Sequence, residues 1–213
     1  MIIEFNKLTP HPLDGVTHLN TPIWGNIVSI DSNNKYKVDA PSGRGKSTFI
    51  HLLYGLRNDY NGAIFFDGKN IQQFSNDQWA SIRQINISII FQDLRLFPEL
   101  TAMENIELKF ELKNKISKEK ILNYIELLKI SHVINKPAKF LSYGERQRVA
   151  IIRAMVQPFS LLLMDEPFSH LDHANAQVAA NIILKECEER NAGYIFTSLG
   201  GESFFKVDQT IHL

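Results

Sequence analysis

Ala40-Pro41-Ser42-Gly43-Arg44-Gly45-Lys46-Ser47-Thr48 is the stretch whose reading decides the fold. Upstream, Tyr36-Lys37-Val38 is a short β-type run; downstream, Phe49-Ile50-His51-Leu52-Leu53 begins a helical pattern. A strand, a glycine-bearing turn and a helix start together make a loop suited to holding phosphate. Unpaired N–H groups at the helix N-terminus point outward, and the helix dipole favours an anion there. Gly43 and Gly45 let the backbone curl close to phosphate with no Cβ in the way. Lys46 then reaches the outer phosphates, and Ser47 offers a hydroxyl to Mg²⁺. At Ala40 the strict pattern has glycine. A positive φ there costs alanine about 1–2 kcal/mol, whereas a β-region φ costs little.

The rest of the composition narrows the setting. A chain of 213 residues is long enough for one substantial core. Lys+Arg and Asp+Glu balance at 23 each, so no global charge argues for wrapping nucleic acid or coating an anionic membrane. The sole cysteine, Cys187, excludes an intrachain disulfide and reads as a structural thiol in a reducing compartment. No window approaches the ~20 apolar residues of a membrane-spanning helix, and the start lacks the basic-then-apolar pattern of a signal peptide. A soluble, cytoplasmic chain is expected, with no regulatory domain after Leu213.

Outward from the loop, residues 2–5, 27–30 and 36–38 read as strands, with Asp31-Ser32-Asn33-Asn34 turning between the last two. Asn61-Gly62 and Asp67-Gly68 bracket Ala63-Ile64-Phe65-Phe66 as a hairpin-like strand with turn residues at both ends. A small antiparallel sheet beside the phosphate loop follows. Residues 87–92 read as a buried strand that ends on the polar Gln92. From Leu94 to Phe140 the pattern is helical. Ser117 caps a helix whose apolar stripe, Ile121, Ile125 and Leu128, is broadened by Leu122 and Leu127. Residues 141–157 are helical again. Leu161-Leu162-Leu163-Met164 is a compact apolar strand running into Asp165-Glu166-Pro167. A helix over 174–189, closed near Gly193, precedes strands at 194–196 and 209–213. Strands alternating with helices give an α/β fold with a parallel sheet covered on both faces.

Asp165, at the end of its apolar strand, can hold Mg²⁺, and Glu166 beyond it can polarise an attacking water as general base. Leu141-Ser142-Tyr143-Gly144-Glu145-Arg146-Gln147-Arg148-Val149-Ala150 follows an apparently helical insert. With the phosphate loop, Gln92, the run Phe91 to Thr101 and Ser169-His170-Leu171-Asp172, it resembles the ATP-binding-cassette (ABC) ATPase family. The motifs stand in family order over nearly the whole chain. They look most like small cassettes of the lipoprotein-release, macrolide-export and cell-division type.

That resemblance implies a P-loop NTPase (RecA-like) core with an N-terminal antiparallel β-subdomain and an inserted α-helical subdomain. A single domain over 1–213 is expected, with 1–93 and 141–213 as core and β-subdomain and 94–140 as the helical part. The resemblance also implies ATP and Mg²⁺ as ligands. ATP would lie on Pro41, Ser42, Gly43, Arg44, Gly45, Lys46, Ser47 and Thr48, with Mg²⁺ on Ser47, Gln92 and Asp165. Two cassettes would sandwich two nucleotides, Ser142 and Gly144 of one capping the γ-phosphate held by the other. The partner would be a second cassette, alike or different. Membrane permease subunits would dock near Gln92 and the helical subdomain, placing the chain peripherally on the inner face of the cell membrane. His18 falls near the position that stacks on adenine, while Trp24 reads as core.

The chain departs from the family pattern at Ala40, at Tyr143 and Glu145 in the signature, and at Ser198. Tyr143 replaces a glycine, so its ring either crowds the partner's phosphate or points outward. Ser198 stands where the family places a histidine that contacts the γ-phosphate. Losing one transition-state contact typically costs ~10²–10³ in rate, so Glu166, Gln92 and Ser198 form the expected catalytic group with a reduced rate. The alternative is a hydrolysis-impaired cassette acting as a regulatory switch or as the silent half of a heterodimer. A DNA-repair or chromosome-structural ATPase carries long heptad coils between its halves. Here only about fifty residues lie between Gln92 and Ser142, too few for such an arm.

Overall fold

The computed structural model describes residues 1–13, 21–109, 116–198 and 204–213. Two sheets organise the chain. The first is antiparallel, in the order β2 (Ile27–Asp31), β1 (Ile2–Pro10), β4 (Tyr60–Phe66) and β5 (Lys69–Asn70). The second is parallel, in the order β6 (Ile87–Ile90), β7 (Leu161–Asp165), β8 (Gly193–Thr197), β3 (Lys35–Asp39) and β9 (Gln209–His212). Every residue of β6, β7 and β8 is buried, which is why these strands read as unbroken apolar runs. Alternate residues of β7 feed two separate cores. Leu162 and Met164 pack with α5 (Tyr143–Val156), α6 (His173–Glu189) and the helical insert. Leu161 and Leu163 pack with α1 (Lys46–Leu53) and the antiparallel sheet. Cys187 lies in the first core, where burial pushes its thiol up to about 12 and leaves it inert.

Several local signals resolve differently from the sequence expectation. Asp67-Gly68 does turn the chain between β4 and β5, with φ of 47° and 75°. Asn61-Gly62 does not turn it; both lie inside β4. The register of β1 shifts between Asn6 and Thr9, and Gly62 (φ 86°) crosses that irregularity. A Cβ there would meet the carbonyl oxygens of Asn6 and Lys7 at 2.4 Å, so the glycine answers a close approach of backbone. Gly193 likewise does not close α6. Asn191 does so at φ 50°, and Gly193 opens β8, where a Cβ would sit 2.1 Å from the Ser32 carbonyl oxygen.

The insert is less helical than the pattern suggests. Residues 94–100 form loop, with Leu94 and Arg95 at φ 60° and 47°, because Arg153 of α5 donates to both of their carbonyls at 2.6 and 2.7 Å. Helix resumes at α3 (Ala102–Glu107), capped by Thr101 and Glu104 reciprocally. Ser117 caps α4 (Lys118–Leu127), as its position predicts. The stripe is narrower than expected, since Leu122 and Leu127 are 50% and 46% exposed. Tyr124 takes the buried face instead. Its hydroxyl donates to Glu186, a fully buried carboxylate that also receives Lys120 and Arg190 and so staples the insert to α6.

Candidate functional site

The carboxyl ends of β3, β6, β7 and β8 open on one edge of the parallel sheet, the place where open α/β sheets bind ligands. The phosphate loop leaves β3 there. Gly43 and Gly45 hold φ of 75° and 94°, and a Cβ on Gly45 would lie 2.9 Å from Leu13 Cδ1. Ala40 has no positive φ, so alanine carries no strain at that position. Pro41, Ser42, Gly43 and Arg44 are exposed, Ser47 and Thr48 half-buried, and Lys46 buried. The Lys46 ammonium donates to the carbonyls of Ala40 and Pro41 at 2.5 and 3.3 Å and has no carboxylate partner among the described residues. Its charge is therefore held inside the loop, available to an anion. Trp24 packs edge-on against Phe49 behind the loop, in the core as expected.

Two strands away, Asp165 ends β7 with 1% of its surface exposed. The Thr197 hydroxyl donates to Asp165 Oδ1 at 2.7 Å and accepts from the Glu166 N–H at 3.0 Å. That bridge fixes Glu166 at φ 48°, a left-handed conformation rare for a non-glycine residue and found at functional turns. Gln92, just past β6, donates through its amide to Glu166 Oε2 at 3.1 Å. Burial, and then the neighbouring Asp165 charge, raise the pKa of the Glu166 carboxyl; Lys46 and His170 pull it the other way. A buried carboxyl tuned upward, with an amide aimed at it, is equipped to hold and activate a water.

Ser198 follows Thr197 directly at the carboxyl end of β8, beside β7 and β3. The sequence reading placed no role on Thr197. Its signal is a hydroxyl at the end of a fully buried strand, where nothing apolar is lost by hydrogen bonding.

The signature turn is built differently. Ser142 caps α5 through a reciprocal box with Glu145. The Glu145 N–H donates to Ser142 Oγ at 3.3 Å, and Ser142 N–H and Oγ both donate to Glu145 Oε2 at 2.8 Å. Gly144 has no positive φ; its small size matters because a Cβ would stand 3.2 Å from the His170 carbonyl oxygen. Tyr143 stays 37% exposed but leans on its own chain: its hydroxyl donates to the Gln92 carbonyl at 3.2 Å and its ring meets His170 at a tilt. The structure thus brings Lys46, Asp165, Glu166, Gln92 and Thr197 to one sheet edge, whereas the hydrogen bonds of Ser142 stay within its own helix start. His18 lies outside the described residues.

Comparison with known proteins agrees with this geometry. The family described as ABC transporter matches residues 28–169. The lipoprotein-releasing system ATP-binding protein LolD of Buchnera aphidicola subsp. Schizaphis graminum is 38% identical over 164 residues, which cover 76% of this chain and 72% of that protein. The aliphatic sulfonates import ATP-binding protein SsuB of Bacillus thuringiensis subsp. konkukian is 36% identical over 176 residues, 83% of this chain but only 64% of that relative's length. Among solved structures, a dimeric structure of MJ0796, a bacterial ABC transporter cassette, superposes with a TM-score of 0.75 at 25% identity, over 94% of this chain and 88% of that one.

Proposed function

The chain belongs to the ABC transporter ATP-binding family, and from that premise we propose that it binds and hydrolyses ATP with Mg²⁺ between two cassettes and so moves membrane subunits. The observation that carries this reading is the bridge from Gln92 to Glu166 to Thr197 to Asp165, set beside a glycine-shaped loop that holds Lys46 buried. The phosphates of ATP replace the Ala40 and Pro41 carbonyls as acceptors for Lys46, with the N–H groups at the start of α1 beside them. A divalent cation fits the donors at hand. One Asp165 oxygen is occupied by Thr197 and the other takes no hydrogen bond among the described residues, while Ser47 and Gln92 offer a hydroxyl and an amide oxygen. When bound, Mg²⁺ supplies charge neutralisation at the transferring phosphoryl group. Glu166 takes the proton of the attacking water and Gln92 holds both in line.

In this reading Ser142 and Gly144 of a second copy cap the γ-phosphate. Ser198 replaces a histidine and brings a hydroxyl to the γ-phosphate, lowering the rate without abolishing it. A second reading, a cassette that binds ATP as a switch and hardly turns it over, draws on the same residue.

In the same reading a membrane subunit docks beside the segment of Gln92. A cavity of about 140 Å³ lies between Tyr54, Phe91, Arg95, Lys109 and Arg153, next to the segment of Gln92. Burial, then Arg153 and Arg83, lower the Lys109 pKa, and burial brings Arg153 down to about 10. Covering these half-buried cations is favourable only if the partner brings carboxylates or carbonyls to pair them, so an acidic docking segment is expected. Among the described residues no helix is long and apolar enough to cross a membrane, which fits a peripheral subunit, proposed for the cytoplasmic face.

Steady-state hydrolysis by the purified protein beside Glu166→Gln tests the reading, with sizing in MgATP. Removing the general base is expected to cut turnover by about 10²–10⁴-fold while ATP still drives dimerisation. Dimerisation with no Glu166-dependent turnover in the unmodified protein would favour the switch.

A further inference from the structure

Tyr143 is the residue that the hydrolytic reading leaves without a task. It stands one position inside α5, between the two residues offered to the partner's nucleotide, and folds back across its own chain. Its ring centroid is 3.9 Å from that of His170 at an interplanar angle of 52°, and the Arg146 guanidinium carbon is 4.8 Å from the ring centre. Its hydroxyl donates to the Gln92 carbonyl at 3.2 Å. Gln92 lies beyond β6 in irregular chain, and among the described residues that carbonyl has no other hydrogen bond. One side chain therefore touches the segment carrying Gln92, the loop that leaves Glu166, and the start of α5.

A second, buried contact runs alongside. Gln147, one helical turn on and 1% exposed, donates to the Pro167 carbonyl at 2.6 Å and accepts from the His170 N–H at 3.0 Å. The start of α5 and the loop over 166–170 thus move as one piece, and Tyr143 adds Gln92 to that piece.

Resting on the hydrolytic reading, we propose that Tyr143 is a positioning residue that couples the loop capping the partner's nucleotide to the Gln92–Glu166 pair of its own site. Nucleotide seated against Ser142 and Gly144 from the partner holds the start of α5 still. Tyr143 then holds the Gln92 carbonyl, and the Gln92 amide stays on Glu166 at 3.1 Å. With the cap empty, the start of α5, the 166–170 loop and Gln92 are free to shift together away from the phosphate loop, and misplacement of a water-holding group by about 1 Å is enough to cost 10²-fold. Hydrolysis at one site is thereby favoured by nucleotide at the other. Glycine at this position would keep both caps and lose the tie.

The test is a cycle of variants: the unmodified chain, Tyr143→Phe and Tyr143→Gly, each with Gln92 intact and with Gln92→Ala. With Gln92 intact, Tyr143→Phe removes one hydrogen bond and is expected to lower kcat about three- to tenfold with KM for ATP within about twofold. Tyr143→Gly lowers it further and reduces the Hill coefficient for ATP. In the Gln92→Ala background neither variant changes kcat by more than about twofold, because the group acted through is gone. Equal losses in both backgrounds, or a loss expressed in KM alone, would overturn the coupling. A readout independent of turnover is the fluorine resonance of 3-fluorotyrosine at position 143 in the Glu166→Gln chain, which is expected to shift with His170→Ala. A resonance at the denatured position, untouched by that change, overturns the coupling even in an active enzyme. A shifted resonance in a protein without Glu166-dependent turnover overturns the hydrolytic reading and leaves the contact standing.

Discussion

The phosphate loop and the signature turn are held in shape by different physics. The phosphate loop depends on backbone angles that glycine adopts freely, at Gly43 and Gly45, and on a lysine buried against loop carbonyls. It is walled behind by Leu13 and Trp24, so its form is set before any ligand arrives. The signature turn needs no left-handed angle: Leu141 and Ser142 are extended and the helix begins at Tyr143. Its shape comes from side chains, the Ser142–Glu145 box and the seat of Tyr143 on His170. The phosphate loop is a finished cradle. The signature turn is an exposed edge, which the proposed reading completes with another chain's nucleotide.

The largest effect should come from breaking the cradle. Lys46→Ala removes the buried cation and is expected to weaken MgATP binding by about 10²-fold, read by calorimetry, since charge-assisted contacts to phosphate are the strong ones. Thermal stability should barely change, because Lys46 bonds only to loop carbonyls. Next comes Ser142→Asp. Aspartate caps a helix as well as serine does, but its carboxylate meets Glu145 Oε2, which now receives the Ser142 hydroxyl, so α5 should lose about 1 kcal/mol and stay folded. The added anion faces the partner's phosphate, so turnover should fall about 10–10²-fold while one chain's affinity for nucleotide stays the same.

The smallest effect sharpens the cradle rather than breaking it. The folded-state pKa of Glu166 lies above its unfolded value, so its ionised form costs stability at pH above both and nothing below both. Glu166→Gln should therefore raise the melting temperature by a small amount at pH 8, with the gain fading as pH falls through the carboxylate range.

The contrast between the two halves also explains what could be read from the sequence. The cradle is local. Strand, turn and helix follow one another over residues 36–53, so glycine spacing alone was enough to find it. The apolar run before Asp165 and the capping residue Ser117 were legible for the same reason, each being a short-range rule met by short-range chemistry. Readings failed where a distant segment decided the outcome. Asn61-Gly62 looks like a turn until the backbone of Asn6 and Lys7 passes over it, and Gly193 looks like a helix stop until Ser32 and Asn34 arrive. Leu94 looks helical until Arg153 takes its carbonyl. Leu122 and Leu127 matched an apolar stripe, but the buried face went to Tyr124, whose hydroxyl finds Glu186 sixty-two positions away. Tyr143 is the sharpest case. Whether it crowds a phosphate or turns aside depends on Gln92 and His170, neither of which is its neighbour in sequence.

The central claim is that each chain supplies half of each site, and mixing two crippled chains tests it most directly. Lys46→Ala keeps a sound signature turn beside a broken cradle, and Ser142→Asp keeps a sound cradle beside a broken turn. Each alone should be nearly inactive. Mixed in equal amounts, they form some dimers in which the intact cradle of one meets the intact turn of the other. The account predicts that steady-state ATP hydrolysis rises on mixing, to roughly a quarter of the unmodified rate if pairing is random and the sites act singly, and to less than that where the Tyr143 tie slows the intact site beside its own empty cap. A mixture no more active than its parts, with dimers present by sizing, would contradict it.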